Sequence, residues 1–135
     1  MPTRIEGRSE TTSWNEEPYF ANANESKLTS ASVKAALSGG ITGESNARYL
    51  QVYVSEKAGK FVGVERFAGK VEGRKGSFVV QIEGTFAPEA IRAQWAVVPG
   101  SGSEELTNLQ GSGTYFWEPK LGHRTLFTFE YELGT

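Results

Sequence analysis

The chain has 135 residues, no cysteine and a formal net charge of −2, so we expect one domain, residues 1–135, with a core of its own. The lack of cysteine excludes disulfides, thiolate metal sites and cysteine nucleophiles. Lysines and arginines are scattered and form no basic stripe of the kind that binds nucleic acid, and no apolar run approaches the roughly 18 residues of a membrane-spanning helix. We therefore expect a cytoplasmic protein with neither nucleic acid nor membrane as a partner.

The first forty residues are polar and alternate only weakly. Residues 4–14 predict a polar first strand, and residues 15–27 have the turn composition of an excursion between strands. Residues 28–37 fit either helix or strand, because their alanines favour a helix while their apolar residues also alternate with polar ones. The β-rich neighbours on both sides favour a strand, and Gly39 with Gly40 then predicts a hairpin turn.

Three runs rich in valine, tyrosine, phenylalanine and isoleucine follow, separated by two short polar turns that contain glycine. They predict an antiparallel meander with strands over residues 47–54, 61–67 and 77–83. Each run carries apolar side chains on both of its period-2 faces, whereas a sheet with one wet face alternates more cleanly. The meander therefore predicts a closed barrel whose outside is partly covered, by its own chain or by a further copy in a homo-oligomer.

The last third of the chain completes the predicted barrel. Residues 91–98 predict another strand, and Ser101 and Glu104 have capping-box spacing, which indicates one short helix or 3₁₀ turn at a barrel mouth. Residues 114–118 and 124–133 predict a final hairpin. The fold class is thus an all-β antiparallel barrel of about eight strands, a strand number whose interior is either filled by side chains or holds one small ligand.

Several segments between Ser13 and Tyr115 carry a resemblance to known proteins. They read SWNEEPY, LTSASVKAALSGGITGES, YLQVY, FVGVERFAGKVEGRKGSFVVQIEGTF, WAVVPGSGSEEL and GSGTY. This order is similar to a family of small microbial proteins, without an agreed activity, that adopts the barrel of allene oxide cyclases. The stretch NLQGSGTY also resembles the glycine-rich segment of dirigent proteins, which share that barrel. The resemblance implies an allene-oxide-cyclase-type barrel, whose relatives steer a reactive substrate in an apolar cavity, but it transfers no activity.

Glu65 is the residue with the clearest chemical potential. It lies in the middle of a predicted strand, on the same face as Phe61 and Phe67. If that face points inward, the carboxyl group sits in an apolar lumen, where desolvation raises its pKa and suits it to act as a general acid or base. The structural alternative is that Glu65 pairs with an arginine or a tyrosine hydroxyl and holds the register of the barrel.

An aromatic pocket with a few polar anchors is the second expectation. Its predicted ligand-binding residues are Tyr49, Gln51, Tyr53, Gln81 and Trp95. This mixture is typical of small-molecule sites, although tyrosine and tryptophan also fill barrel cores with their polar atoms hydrogen-bonded. Trp14 and Tyr19 are expected to cover one end of the barrel or to form a lid over it.

Three classes of function remain open from the sequence. An isomerase, cyclase or lyase would act on a small apolar substrate, with Glu65 as acid or base and the barrel supplying orientation. A non-catalytic carrier would hold a small hydrophobic molecule, and a structural oligomer would have a packed interior. The single histidine, His123, lies in a predicted turn without metal-ligand spacing or a nucleophile motif, so we expect no metal or other cofactor.

Overall fold

Eight antiparallel strands close into one barrel in the computed structural model, which describes residues 2–22 and 24–134. Each strand pairs with its neighbours along the chain, and the first pairs with the last. The strands are β1 (Thr3–Phe20), β2 (Lys27–Gly39), β3 (Ile41–Tyr53), β4 (Gly59–Val71), β5 (Arg74–Ala87), β6 (Ala90–Val97), β7 (Leu109–Trp117) and β8 (Arg124–Leu133). The predicted eight-stranded antiparallel barrel is confirmed.

The helical content of these residues is limited to two 3₁₀ turns, Glu104–Leu106 and Pro119–Leu121. The first lies where a short turn was predicted, and its Leu106 is buried in the core. The predicted capping box does not form, because Ser103 precedes the turn without a side-chain capping bond and the Ser101 hydroxyl bonds to the backbone of Val79 instead. The second lies within the last hairpin and was not predicted. In the described part of the chain, no helix has the length and apolar character that crossing a membrane requires.

β1 is longer than the sequence predicts. It continues through residues 15–20, which the composition assigned to an excursion, and pairs with β2 as far as Phe20. Its pairing with β8 already ends at Glu10, so the part of β1 after Glu10 has a strand neighbour on one side only. A polar, turn-like composition is compatible with such an edge, because pairing there depends on backbone hydrogen bonds to β2.

The predicted hairpin turns are confirmed. β2 and β3 join at Gly39 and Gly40, and β4 and β5 join through a two-residue turn, Glu72 and Gly73. Both turn residues have positive φ, 47° and 85°, as a type I′ turn between twisted strands requires.

Aromatic rings fill the half of the lumen near the Glu104–Leu106 turn. Phe67 stacks on Phe78 with 4.9 Å between ring centroids, and Phe78 stacks on Phe129 at 5.8 Å. Trp95 lies 4.9 Å from Phe129, and Leu106 closes this end of the barrel. We call this group the aromatic core; its packed rings fill that half of the lumen.

The outer surface of the meander also carries exposed aliphatic side chains. Leu50, Val62 and Val64 are 51%, 51% and 46% exposed; we call these three residues the outer patch. Arg48 is the cross-strand neighbour of Val64, and Glu83 is that of Val62, so opposite charges flank the patch. The apolar character predicted for both faces of the meander is thus confirmed, while the homo-oligomer inferred from it stays a prediction.

Candidate functional site

A cavity occupies the half of the lumen farther from the Glu104–Leu106 turn. Its volume is about 110 Å³, and residues from all eight strands line it. The walls are mostly apolar, with Val33, Phe61, Phe86, Ile91 and Ala93 among them. A dry cavity of about 150 Å³ holds a benzene molecule, so this space suits a slightly smaller molecule or the end of a larger one.

Glu65 points into this cavity from the middle of β4. It is only 4% exposed, because strand alternation places it on the same inward face as Phe61 and Phe67. The hydroxyl of Tyr115, on β7, donates a hydrogen bond of 2.7 Å to Glu65 Oε1 across the lumen. The one ion pair in the described chain lies elsewhere, on the surface, so this carboxyl group is buried without a cationic partner.

Burial raises the pKa of the Glu65 carboxyl group above its usual range. The hydroxyls of Ser45 and Tyr115 oppose this rise because they stabilise the charged form. Ser45 Oγ is itself fully enclosed and makes no hydrogen bond of standard geometry, so the bond from Tyr115 is the well-defined contact. A carboxyl group with a raised pKa gives or takes a proton closer to neutral pH, as general acid–base catalysis requires.

Tyr49 lines the cavity beside Glu65. Its ring lies over Gly63, where a Cβ atom would come within 2.6 Å of Tyr49 Cδ1, and meets the Phe61 ring edge-on at 5.3 Å. Burial, followed by the nearby Glu65, raises the pKa of Tyr49 and of Tyr115 well above the ordinary tyrosine value. Both hydroxyls are therefore protonated at neutral pH. That of Tyr115 is engaged by Glu65, whereas that of Tyr49 has no hydrogen bond within the described residues.

A second polar group, the mouth network, joins the inner faces of β1, β2 and β3. Glu16 accepts hydrogen bonds from the hydroxyls of Tyr53 and Thr29 and from the Trp14 indole. Thr29 Oγ1 also lies 3.0 Å from the amide of Gln51. Burial alone would raise the pKa of Glu16, but these hydrogen bonds outweigh it and the pKa is lowered. Burial and Glu16 raise the pKa of Tyr53 to about 12.

The structure places the predicted site residues in three surroundings inside the barrel and one outside it. Glu65, Tyr49 and Gln51 line the cavity. Tyr53 lies on the same inward face but is bound within the mouth network. Trp95 is buried in the aromatic core, with its indole nitrogen enclosed and without a partner.

Gln81 was wrongly grouped with the lumen. It is exposed on the outside of β5, where it pairs with Val64 of the outer patch. Alternation defines two faces for each strand but not which of them is the inner one. Between Ser77 and Glu83, the opposite face of β5 carries Phe78, Val80 and Ile82, all of them buried, and that apolar run was the available signal.

Trp14 and Tyr19, the two residues expected at the barrel end, differ in whether they line the cavity. Trp14 lines the rim of the cavity although it is 51% exposed, so it covers part of the barrel end as expected. Tyr19 is exposed and does not line the cavity.

Sequence reasoning missed two residues of the site. Tyr115 bonds to Glu65 across 50 residues of chain, and one tyrosine in a strand gives no sign of such a partner. Glu16 lies in the segment assigned to an excursion, and only its pairing opposite Ala31 turns it towards the barrel mouth.

Comparison with known proteins shows the family and supports the fold. The family model described as "Protein of unknown function (DUF3224)" matches residues 5–131. The crystal structure of a DUF3224-family protein of unknown function from Shewanella oneidensis MR-1 is similar, with a TM-score of 0.79, 24% identity and 100% of each chain covered. At this identity the likeness shows the fold alone. No curated protein matches this chain.

Proposed function

The chain belongs to the DUF3224 family, whose description assigns no function, and we propose that its barrel binds a small, largely apolar molecule and exchanges a proton with it through Glu65. One observation carries this proposal. Glu65 is 4% exposed, has Tyr115 as its one geometrically defined hydrogen-bond partner and faces a cavity. Burying a carboxyl group without a cation is costly, and an interior built only for packing would use an apolar side chain there.

The chemistry that fits is an isomerase, cyclase or lyase reaction that moves a proton. Glu65, as carboxylate, takes a proton from a carbon next to a carbonyl group, and the resulting acid returns a proton to another atom of the same molecule. The Tyr49 hydroxyl, protonated and without a partner among the described residues, is suited to donate a hydrogen bond to the carbonyl oxygen as negative charge develops there. The apolar walls strengthen both interactions because they exclude water.

A non-catalytic carrier is the second candidate, and the Tyr115–Glu65 bond favours it. That bond joins opposite walls of the lumen, so Glu65 would then anchor a bound molecule and stabilise the barrel without transferring a proton. The allene-oxide-cyclase-type relationship is likewise a proposal, supported by the matching segments between Ser13 and Tyr115. It agrees with either candidate, because shared fold does not settle activity.

Exchange of hydrogen for deuterium at a carbon next to a carbonyl tests the proposal without knowledge of the natural substrate. We suggest cyclopentanone in D₂O at neutral pH, followed by NMR with and without the protein. The wild type is expected to accelerate exchange, and Glu65→Gln is expected to lose about 100-fold of that acceleration, within the range for general acid–base catalysis. Glu83→Gln, an exposed change on the outer face, is the matched control and should behave as the wild type.

Two results decide between the candidates. Binding of cyclopentanone without accelerated exchange would favour the carrier. Exchange that is equally fast in Glu65→Gln and the wild type would remove Glu65 from the mechanism.

A further inference from the structure

The Thr29 hydroxyl lies between two oxygen acceptors in the mouth network. Its Oγ1 is 2.8 Å from Glu16 Oε2 and 3.0 Å from the atom assigned as Gln51 Oε1. A hydroxyl group has one hydrogen and two lone pairs, so Thr29 donates to one of these neighbours and must accept from the other.

Glu16 is the acceptor that receives the Thr29 hydrogen. It also accepts from Tyr53 and Trp14, and a carboxylate, which has acceptor sites alone, accommodates these three donors on its two oxygens; its lowered pKa agrees with this. Hydrogen bonds to a charged acceptor are shorter and stronger than those between neutral groups. The contact between Thr29 and Gln51 therefore runs the other way, with the amide NH₂ of Gln51 donating to Thr29 Oγ1. The oxygen and nitrogen of a glutamine are assigned from such networks.

The second terminal atom of the Gln51 amide faces the cavity. Gln51 is 6% exposed and lines the cavity, whereas Thr29 and Glu16 do not. Among the described residues, the enclosed side-chain polar atoms without a partner are Ser45 Oγ and Trp95 Nε1. The free Gln51 atom is not one of these, so it borders open space, and the cavity is the space that Gln51 lines.

We infer that Gln51 presents its carbonyl oxygen to the cavity and selects a ligand with a hydroxyl donor, so that the substrate class is a small hydroxy-carbonyl compound. This inference rests on the proposed function, because Glu65 and Tyr49 supply the site for the ligand's carbonyl group. Gln51 is two residues along β3 from Tyr49, which is about 7 Å along a strand, and both residues line the cavity. Phe61, the cross-strand partner of Gln51, lines it as well, so a short carbon chain should separate the ligand's two oxygens.

Two ketones of equal size test the selection. 4-Hydroxy-2-butanone and 2-pentanone differ by a hydroxyl in place of a methyl group, and their dissociation constants can be measured by NMR titration. The wild type is expected to bind the hydroxy-ketone about ten-fold more tightly, since a buried acceptor left without a donor weakens binding by roughly that factor. Gln51→Met, similar in length but without an acceptor, should lose the preference, and exposed Gln81→Met should keep it.

Equal binding of both ketones by the wild type, or a preference that survives in Gln51→Met, would overturn the inference. Failure of both ketones to bind would overturn the proposed function together with it. Binding with the expected preference but without hydrogen–deuterium exchange would support Gln51's role while contradicting catalysis by Glu65.

A measurement without ligand tests the amide orientation itself. One side-chain amide proton of Gln51 is expected to exchange slowly with solvent in NMR spectra, because it is bonded to Thr29. Thr29→Val, which removes the acceptor, should abolish that protection, and Thr29→Ser should retain it. Rapid exchange of both amide protons in the wild type would show that the carbonyl oxygen faces Thr29 and would contradict the assignment.

Discussion

Replacement of Glu65 by glutamine is expected to stabilise the barrel at high pH. Glutamine keeps the size of the side chain and can still accept the hydrogen bond from Tyr115, but it carries no charge. Because burial raises the pKa of Glu65, the folded protein holds this proton more tightly than the unfolded chain. The associated stability is present at low pH and is lost as the pH rises from the ordinary carboxyl value through the folded-state pKa. The glutamine side chain cannot ionise, so the variant keeps this stability as the pH rises.

The size of the effect follows from the surroundings of the carboxyl group. Glu65 is 4% exposed, has no cationic partner in the described chain and has one well-defined hydrogen bond. An incompletely satisfied carboxylate in a buried site costs more than a neutral amide in the same place, by about 1–3 kcal/mol. For a chain of 135 residues, 1 kcal/mol moves the melting temperature by about 3–4 °C. We therefore expect Glu65→Gln to melt about 3–12 °C above the wild type at pH 8.

Thermal unfolding followed by circular dichroism between pH 4 and pH 8 measures this difference. The gap between Glu65→Gln and the wild type should shrink towards the ordinary carboxyl pKa of 4.5, where both side chains are largely uncharged. Exposed Glu83→Gln is the control and should show no pH-dependent gap of this kind. A Glu65→Gln variant that melts at or below the wild type at pH 8 would refute the account of an unpaired buried carboxyl group.

Three further predictions concern the neighbours of the site and the outer patch. Tyr115→Phe removes a hydrogen bond that lowers the pKa of Glu65, so the rising limb of the pH profile for exchange should move to higher pH; an unchanged profile would contradict this. In Gly63→Ala the new Cβ atom would collide with the Arg48 carbonyl oxygen and lie 2.6 Å from Tyr49 Cδ1, so the β3 backbone and the Tyr49 ring must both shift. We expect a cost of about 1–3 kcal/mol of stability and weaker ketone binding, measured by denaturant unfolding and titration. We also propose that a second copy of the chain covers the outer patch, with Arg48 of one copy facing Glu83 of the other. Light scattering should then show a wild-type dimer and a monomeric Val62→Glu variant, and a wild-type monomer would count against this.

Period-2 alternation was enough to predict the barrel and to place Glu65 on one face with Phe61 and Phe67, but not to show that this face is the inner one. The same alternation misplaced Gln81, because the sense of each face depends on the register between neighbouring strands. Residues 15–20 of β1 were wrongly predicted as an excursion between strands. Their composition is that of a turn, and they lie in a strand because their backbone pairs with β2.

The contacts that define the site join residues far apart in the chain. Tyr115 meets Glu65 across 50 residues, and Glu16 meets Tyr53 across 37. Local patterns carry no information about such pairs, so the pocket could be predicted in character but not in its hydrogen bonding. The division of the lumen into an aromatic core and a cavity likewise depends on how side chains from all eight strands fill the space.

A crystal structure of the protein soaked with 4-hydroxy-2-butanone would show whether one small molecule reaches both Glu65 and Gln51. We expect the ketone within the cavity, with its carbonyl oxygen at Tyr49 and Glu65 and its hydroxyl group at Gln51. A cavity that stays free of the ketone at saturating concentration, or a ketone bound with its hydroxyl group away from Gln51 and its carbonyl away from Glu65, would contradict this expectation.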